Sequence, residues 1–234
     1  AAQLQGSAAA KTGIYALEDV DLFNILCIPL TAEMSDADAI AVIDEGISYC
    51  AEQRAFMIVD IPDDVDTVEE VKDWVSNNQN TLRSDQADHA ALYFPRVRIS
   101  NPLDEYRPRS IAASGTLAGL YSRTDTNRGV WKAPAGTEAT LRGIRSLEYN
   151  LSNRENGVLN PLGINALRVF DVRGTVSWGG RTLRGADQLA DEYKYIPVRR
   201  LALYLEESLF RGLQWVVFEP NDEPLWAQIR MNVN

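Results

Sequence analysis

This sequence offers little material for metal or redox chemistry. One histidine, His89, and two cysteines, Cys27 and Cys50, are its whole supply of the softer ligands. Zinc sites need several such residues at short spacings, and neither cysteine lies near the histidine in sequence. No GxxxxGK[ST] or GxGxxG run occurs, so nothing supports a loop that cradles nucleotide phosphates. The longest apolar runs are a handful of residues, whereas a bilayer-spanning helix needs about 20. The opening stretch, Ala1 to Ala10, has no charged group and no long apolar core. It is expected to be a flexible lead-in and not a secretory signal. Each cysteine sits in an apolar segment, which predicts two buried thiols and no disulfide.

What is present is an ordinary globular composition. The 234 residues are 45% hydrophobic and 24% charged, enough to bury a core at the upper edge of single-domain size. Charge is unevenly spread. Residues 1–95 hold 18 acidic and 4 basic side chains, while residues 96–234 hold 15 acidic and 19 basic ones. Either both halves have solvated faces, or an acidic side is meant to face a neighbour's basic side, as in head-to-tail polymers. The arginines of the second half are scattered, which argues against nucleic acid as a partner.

Periodicity predicts alternating strands and helices. Phe23 to Pro29 forms a buried strand stopped by proline. Ser35, with Asp38 three residues on, caps a helix whose apolar face is Ile40, Ile43, Ile47 and Cys50. Arg54 to Asp60 is a second strand. Thr67 and Glu70 form a capping box opening a helix with Val68, Val71, Trp74 and Val75 on one face. His89 to Phe94 is a third strand, and the order implies consecutive βαβ units with right-handed crossovers. Arg96 to Ser100 extends the sheet or starts a side strand, Asn101 to Asp104 is a turn, and a helix covers roughly Ser110 to Ser122. The 39 residues from Thr124 to Leu162 lack periodicity, which predicts a long functional or interfacial loop. Within it, Leu141, Ile144 and Leu147 suggest a short helix or turn. Ile164 to Phe170 and Val176 to Trp178 are strands. Pro197 opens a helix with Val198, Leu201, Leu205 and Leu209 on its apolar face, closed by Gly212. Gln214 to Phe218 is expected as a strand, Glu219 to Asp222 as a turn, and Glu223 to Asn234 as the start of a helix without a visible stop. That ending is expected to be mid-element, as in a truncated polypeptide.

One constellation bears on catalysis. Asp60, His89 and Ser114 fall in the chain order used by subtilisin-like serine hydrolases. Yet His89 begins its strand while Asp60 ends one, and no oxyanion donor is evident. Asp63, Asp64 and Asp66 suit a solvated loop ahead of a helix N-terminus, and Glu206 and Glu207 suit the polar side of a helix. Asn150-Leu-Ser152 matches a glycosylation triplet, with no secretory context to support it. No catalytic, metal or cofactor-binding residue is expected. The stretch from Ser114 to Gly136, a small-residue helix start running into a charged and aromatic segment, is expected to be a contact surface.

Several ordered segments carry a resemblance. They include Gly13-Ile-Tyr-Ala-Leu-Glu18, Phe23-Asn-Ile-Leu-Cys-Ile-Pro29, Ala118-Gly-Leu-Tyr-Ser-Arg-Thr-Asp125 and Arg128-Gly-Val-Trp-Lys-Ala-Pro-Ala135. Further on come Leu159-Asn-Pro-Leu-Gly-Ile-Asn165, Trp178-Gly-Gly-Arg-Thr-Leu183, Tyr195-Ile-Pro-Val-Arg-Arg200 and Gln214-Trp-Val-Val-Phe-Glu-Pro-Asn-Asp-Glu-Pro-Leu-Trp226. From Gly13 onward the chain resembles the tail sheath proteins of contractile phages and related bacterial contractile injection systems.

The resemblance implies an α/β fold: a largely parallel βαβ sheet layered with helices, in a subtilisin-like sheath domain without protease activity over residues 1–183. Residues 184–234 would begin an α+β C-terminal sheath domain. Family members polymerise helically around an inner tube and contract to drive it through a target envelope. The implied partners are copies of the chain or paralogous subunits, the inner tube, and baseplate and terminal cap proteins, with no nucleic acid and no membrane insertion. The implied location is a contractile tail or injection particle, assembled in the bacterial cytoplasm and released as a virion or extracellular particle. Arg123, Asp125, Arg128, Trp131, Lys132, Arg199, Arg200 and Asp222 are the expected intersubunit contacts, because arginine and tryptophan anchor interfaces. The alternatives are a hydrolase fold with residual serine hydrolase activity and a monomeric binding module.

Overall fold

The computed structural model of the chain describes residues 1–233. In chain order its regular elements begin with α1 (Ala2–Gln5), β1 (Ile25–Cys27), α2 (Asp36–Glu52), β2 (Phe56–Val59), α3 (Val68–Asn77) and α4 (Gln79–Leu82). Then come β3 (Ala90–Phe94), β4 (Val97–Asn101), β5 (Arg107–Ile111), α5 (Ser114–Arg128), β6 (Ser146–Leu147) and α6 (Asn153–Leu159). The last are β7 (Ile164–Phe170), β8 (Gly174–Ser177), α7 (Ile196–Gly212) and α8 (Glu223–Val233).

Five strands form one sheet in the order β1-β2-β3-β7-β8, parallel except for β8, which turns back on β7 as a hairpin. Successive strand side chains point to opposite faces, so the central runs supply two cores at once. Met57, Val59, Leu92, Phe94 and Ile164 pack under α2, α3 and α6, where Ile43, Ile47, Val71, Trp74 and Leu159 meet them. Phe56, Ile58, Ala91, Tyr93 and Leu167 face the other way, against Leu117 and Tyr121 of α5 and Ile196 and Leu203 of α7. The result is a three-layer α/β body. A smaller sheet, β5-β4-β6, stands beside it.

Local chemistry explains the helix starts. Ser35 accepts a hydrogen bond from the Asp38 amide, and the Thr67–Glu70 and Ser152–Glu155 pairs form reciprocal capping boxes. Both cysteines are free. The lead-in is folded over its first turn, since Ala2–Gln5 is helical and Gln5 donates to the Ala41 carbonyl.

Four expectations need correction. Arg107–Ile111 is a strand paired along its length with β4, so the helix starts at Ser114 and not near Ser110. That helix then runs to Arg128, where Gly129 at φ 88 ends it. Residues 124–162 are therefore not one long loop, because α6 and a 3-10 turn at Asn160–Leu162 occupy their far end. Leu141, Ile144 and Leu147 form no helix: Leu141 hydrogen-bonds the Thr175 carbonyl beside β8, and Leu147 lies in β6. Gln214–Phe218 is a 3-10 turn, because β-prone side chains make no strand without a backbone partner. The last expected helix is α8; its final residue, Asn234, lies outside the described residues.

The apolar face expected of α7 is also reversed. Ile196, Arg199, Arg200 and Leu203 are its buried residues, while Val198, Leu205 and Leu209 are exposed. Polar partners on the body caused this. Asp88, Asp125 and the rings of Tyr193 and Tyr121 lie on that side and accept the two guanidinium groups.

Candidate interaction surface

The hydrolase constellation does not assemble. Strand register sets Met57 beside Ala90, so His89 is level with Phe56 and Asp60 is level with Tyr93. At strand rise this separates them by roughly 13 Å along the sheet. Each is committed elsewhere. Asp60 Oδ1 accepts the Ser114 backbone N–H at 2.9 Å, and His89 Nδ1 lies 2.8 Å from Asp88 Oδ1 with Nε2 against Arg199. Among the described residues no group of three or more histidine, cysteine or acidic side chains could hold a metal ion.

The structure does gather one convergent feature from distant parts of the chain. The loop after α5, the start of β2 and the flank of α7 enclose a groove of about 450 Å³. Its floor is ionic. Arg200 donates to both oxygens of Asp125 at 2.9 and 2.5 Å, and its guanidinium lies 4.9 Å from the Tyr121 ring centre. Along the wall, Glu207 joins Arg54 at 3.1 Å and Arg211 at 2.5 Å, and Arg211 reaches Asp21. Trp131 stands at the rim with 63% of its surface exposed. Gly129 lets it stand there, since a side chain at 129 would run into its indole.

The eight expected contact residues divide by location. Asp125, Trp131 and Arg200 meet in this groove. Arg123, Arg128 and Lys132 line an adjacent hollow, where Arg123 donates to the Thr140 carbonyl, Arg128 pairs with Glu138, and Lys132 donates to the Ala133 and Ala135 carbonyls. Partial burial and neighbouring Arg142 pull the Arg123 pKa below its ordinary value. Arg199 is buried against Asp88, His89 and Tyr193. Asp222 caps α8 by accepting the Leu225 amide.

Sequence reasoning missed the Asp21–Arg211–Glu207–Arg54 chain. Only the four-residue spacing of Glu207 and Arg211 signalled part of it. It also missed the apolar surface running from the outer face of α7 through Trp215, Val217 and Phe218 to Trp226 and Met231, all exposed, Phe218 at 97%.

No protein-family model matches the sequence. The tail sheath protein of Vibrio phage KVP40 is 32% identical over 123 residues, covering 51% of this chain and 18% of that protein. The tail sheath protein of Salmonella phage ViI is 24% identical over 230 residues, covering 92% of this chain and 36% of that protein. Among solved structures, a chain of the PVC sheath complex of an extracellular contractile injection system, in its contracted state, matches with a TM-score of 0.71 and 27% identity. That match covers 93% of this chain and 55% of the other. The chain thus spans about half, or less, of the length of the relatives it matches. In sequence the chain is thus similar to phage tail sheath proteins, and in fold to a chain of a contracted sheath complex.

Proposed function

We propose that the chain is a structural subunit of a contractile sheath that polymerises helically around an inner tube and contracts to drive the tube through a target envelope. The observation that carries this reading is the superposition of 93% of the chain on a subunit of a contracted sheath complex. Physically, such a machine needs stiff bodies with two packings of different energy. A three-layer body with tied helices meets the first requirement.

In this reading Trp131, Arg123, Arg128 and Lys132 touch a neighbouring subunit, and Arg199, Arg200 and Asp222 hold α7 and α8 in the pose that presents the contact face. The exposed apolar face of α7 and the turn after it packs against a second copy, since solitary soluble proteins rarely show so much contiguous apolar surface. Residues 1–183 serve as a subtilisin-like body without catalytic work, and residues from 184 onward begin a second domain. Partners are like or paralogous subunits, the tube, and the baseplate and cap, within a tail or injection particle assembled in the bacterial cytoplasm.

Negative-stain electron microscopy and sedimentation of the chain with its inner tube protein test this. Rings or tubes are the expected outcome. Monomers at every concentration and salt, with the tube present, would overturn it.

A further inference from the structure

The outward surfaces on the two sides of the main sheet carry opposite charge. On the side of α5, residues 114–145 hold five basic and two acidic side chains. Both acids are spent within the chain, Asp125 on Arg200 and Glu138 on Arg128. Arg123, Lys132, Arg142 and Arg145 form no ion pair among the described residues. Arg123 and Lys132 line one hollow and donate to backbone carbonyls. Leu141 and Ile144 pack into the core on this side, which places Arg142 here, exposed and close enough to Arg123 to act on its charge. Glu33, across a cleft from Arg142, is paired with Arg109 at 3.5 Å. Like charges held together without a counter-charge raise the energy of the isolated chain, and an arriving anionic surface recovers it.

On the other side, residues 36–77, which include α2 and α3, hold twelve acidic and two basic side chains. Both bases are engaged, Lys72 with Glu69 at 2.7 Å and Arg54 with Glu207 of α7 at 3.1 Å. Some of the acids have internal work: Asp60 is buried, Asp36 accepts the Trp74 indole N–H, and Glu70 closes the capping box. Asp63, Asp64 and Asp73 have none. They are exposed on α3 and the loop that leads into it, and their carboxylates make neither an ion pair nor a hydrogen bond among the described residues.

α5 and α3 cover opposite faces of the sheet, so the two surfaces cannot neutralise each other within one chain. A two-fold contact through either surface sets like charge against like. A heterologous contact, basic surface to acidic surface, satisfies both. It also leaves one surface free at each end, so it repeats.

We propose that the surface of Arg123, Lys132 and Arg142 receives Asp63, Asp64 and Asp73 of a second copy in a head-to-tail contact; this rests on the assembly reading and adds which surface meets which. Exposed charges of this kind are screened over about 8 Å at physiological ionic strength, so the contact tightens as salt falls.

Light scattering and sedimentation of the full chain at low and high salt test it. Lys132→Glu with Arg142→Glu makes one variant, and Asp64→Lys with Asp73→Lys the other. Each alone is expected to need about tenfold more protein than the parent to associate. An equimolar mixture is expected to associate as the parent does, because alternating copies again set unlike surfaces together. A variant that had failed to fold would gain nothing from mixing. Variants that associate like the parent, or a mixture as dispersed as its components, would overturn the proposal and leave the assembly reading standing. A parent that stays monomeric in every condition, with the tube protein present, overturns that reading and this contact with it.

Discussion

Arg200 grips Asp125 with two nearly parallel hydrogen bonds of 2.9 and 2.5 Å and so fastens α7 to α5 across 75 residues of sequence. The arginine side chain is 5% exposed and the aspartate 28%. Breaking one side of such a pair leaves a charge without a partner, which costs about 3 kcal/mol. Arg200→Met and Asp125→Ala are each expected to lower stability by about that amount in urea unfolding. The double variant should lose less than the sum, with a coupling of about 2 kcal/mol. Additive losses would mean that the two side chains act independently.

Asp60 predicts an acid-side gain in stability. Burial pushes its carboxyl up to about 6, above the ordinary 3.8, although the Ser114 hydrogen bonds pull the other way. A folded-state pKa raised in this way favours the folded chain fully below about 3.8 and loses that contribution as pH rises through about 6. At neutral pH the charged form is therefore a cost of about 2–3 kcal/mol. Asp60→Asn keeps a carbonyl to accept the Ser114 amide. It should match or exceed the parent at pH 7 and lose this part of the pH dependence in thermal melts at pH 4, 5.5 and 7.

Thiol chemistry should be quiet in the folded state. Burial, with the Asp60 charge adding to it, pushes Cys27 up to about 12, and burial raises Cys50 as well. At pH 8 the thiolate fraction of Cys27 is then about one part in ten thousand. An aromatic disulfide reagent should titrate both thiols promptly in urea and at least roughly a hundredfold more slowly in buffer. Equal rates would show that the packing around β1 and α2 opens readily.

Trp131 separates stability from assembly. At 63% exposure it adds little to the body, so Trp131→Ala should change unfolding free energy by no more than about 0.5 kcal/mol. If it is an interface anchor, sedimentation with the tube should show subunits that no longer polymerise. Normal assembly of the variant would move the contact elsewhere.

The outer face of α7 allows a parallel experiment. Leu205→Lys and Leu209→Lys replace exposed leucines and should leave the monomer's melting temperature nearly unchanged. Each should raise the concentration needed for self-association, as seen by light scattering. A large fall in melting temperature would instead mean that these leucines pack within the chain.

Local and periodic information is legible in the residues themselves. The runs around Leu26, Ile58 and Leu92 alternate between two buried faces, so their strands and parallel order follow from composition and spacing alone. Ser35 and the Thr67–Glu70 box mark helix starts because their side chains bond amides three residues away. The hairpin of β7 and β8 is equally local. All of these depend on neighbours in sequence, which one chain read by itself supplies.

What only the tertiary structure decided is which partner each versatile side chain meets. Val198, Leu205 and Leu209 read as the inner face of α7, but Asp88 and Asp125, brought near by the sheet, drew Arg199 and Arg200 inward instead. The residues from Gln214 to Phe218 had the propensity for a strand and found no ladder to join. Asp60 and His89 sit at opposite ends of adjacent strands for the same reason: register is a property of paired chains. Sequence by itself determined the layers of this α/β body. Long-range ion pairing and strand register, whose partners lie dozens of residues apart, decided its surface.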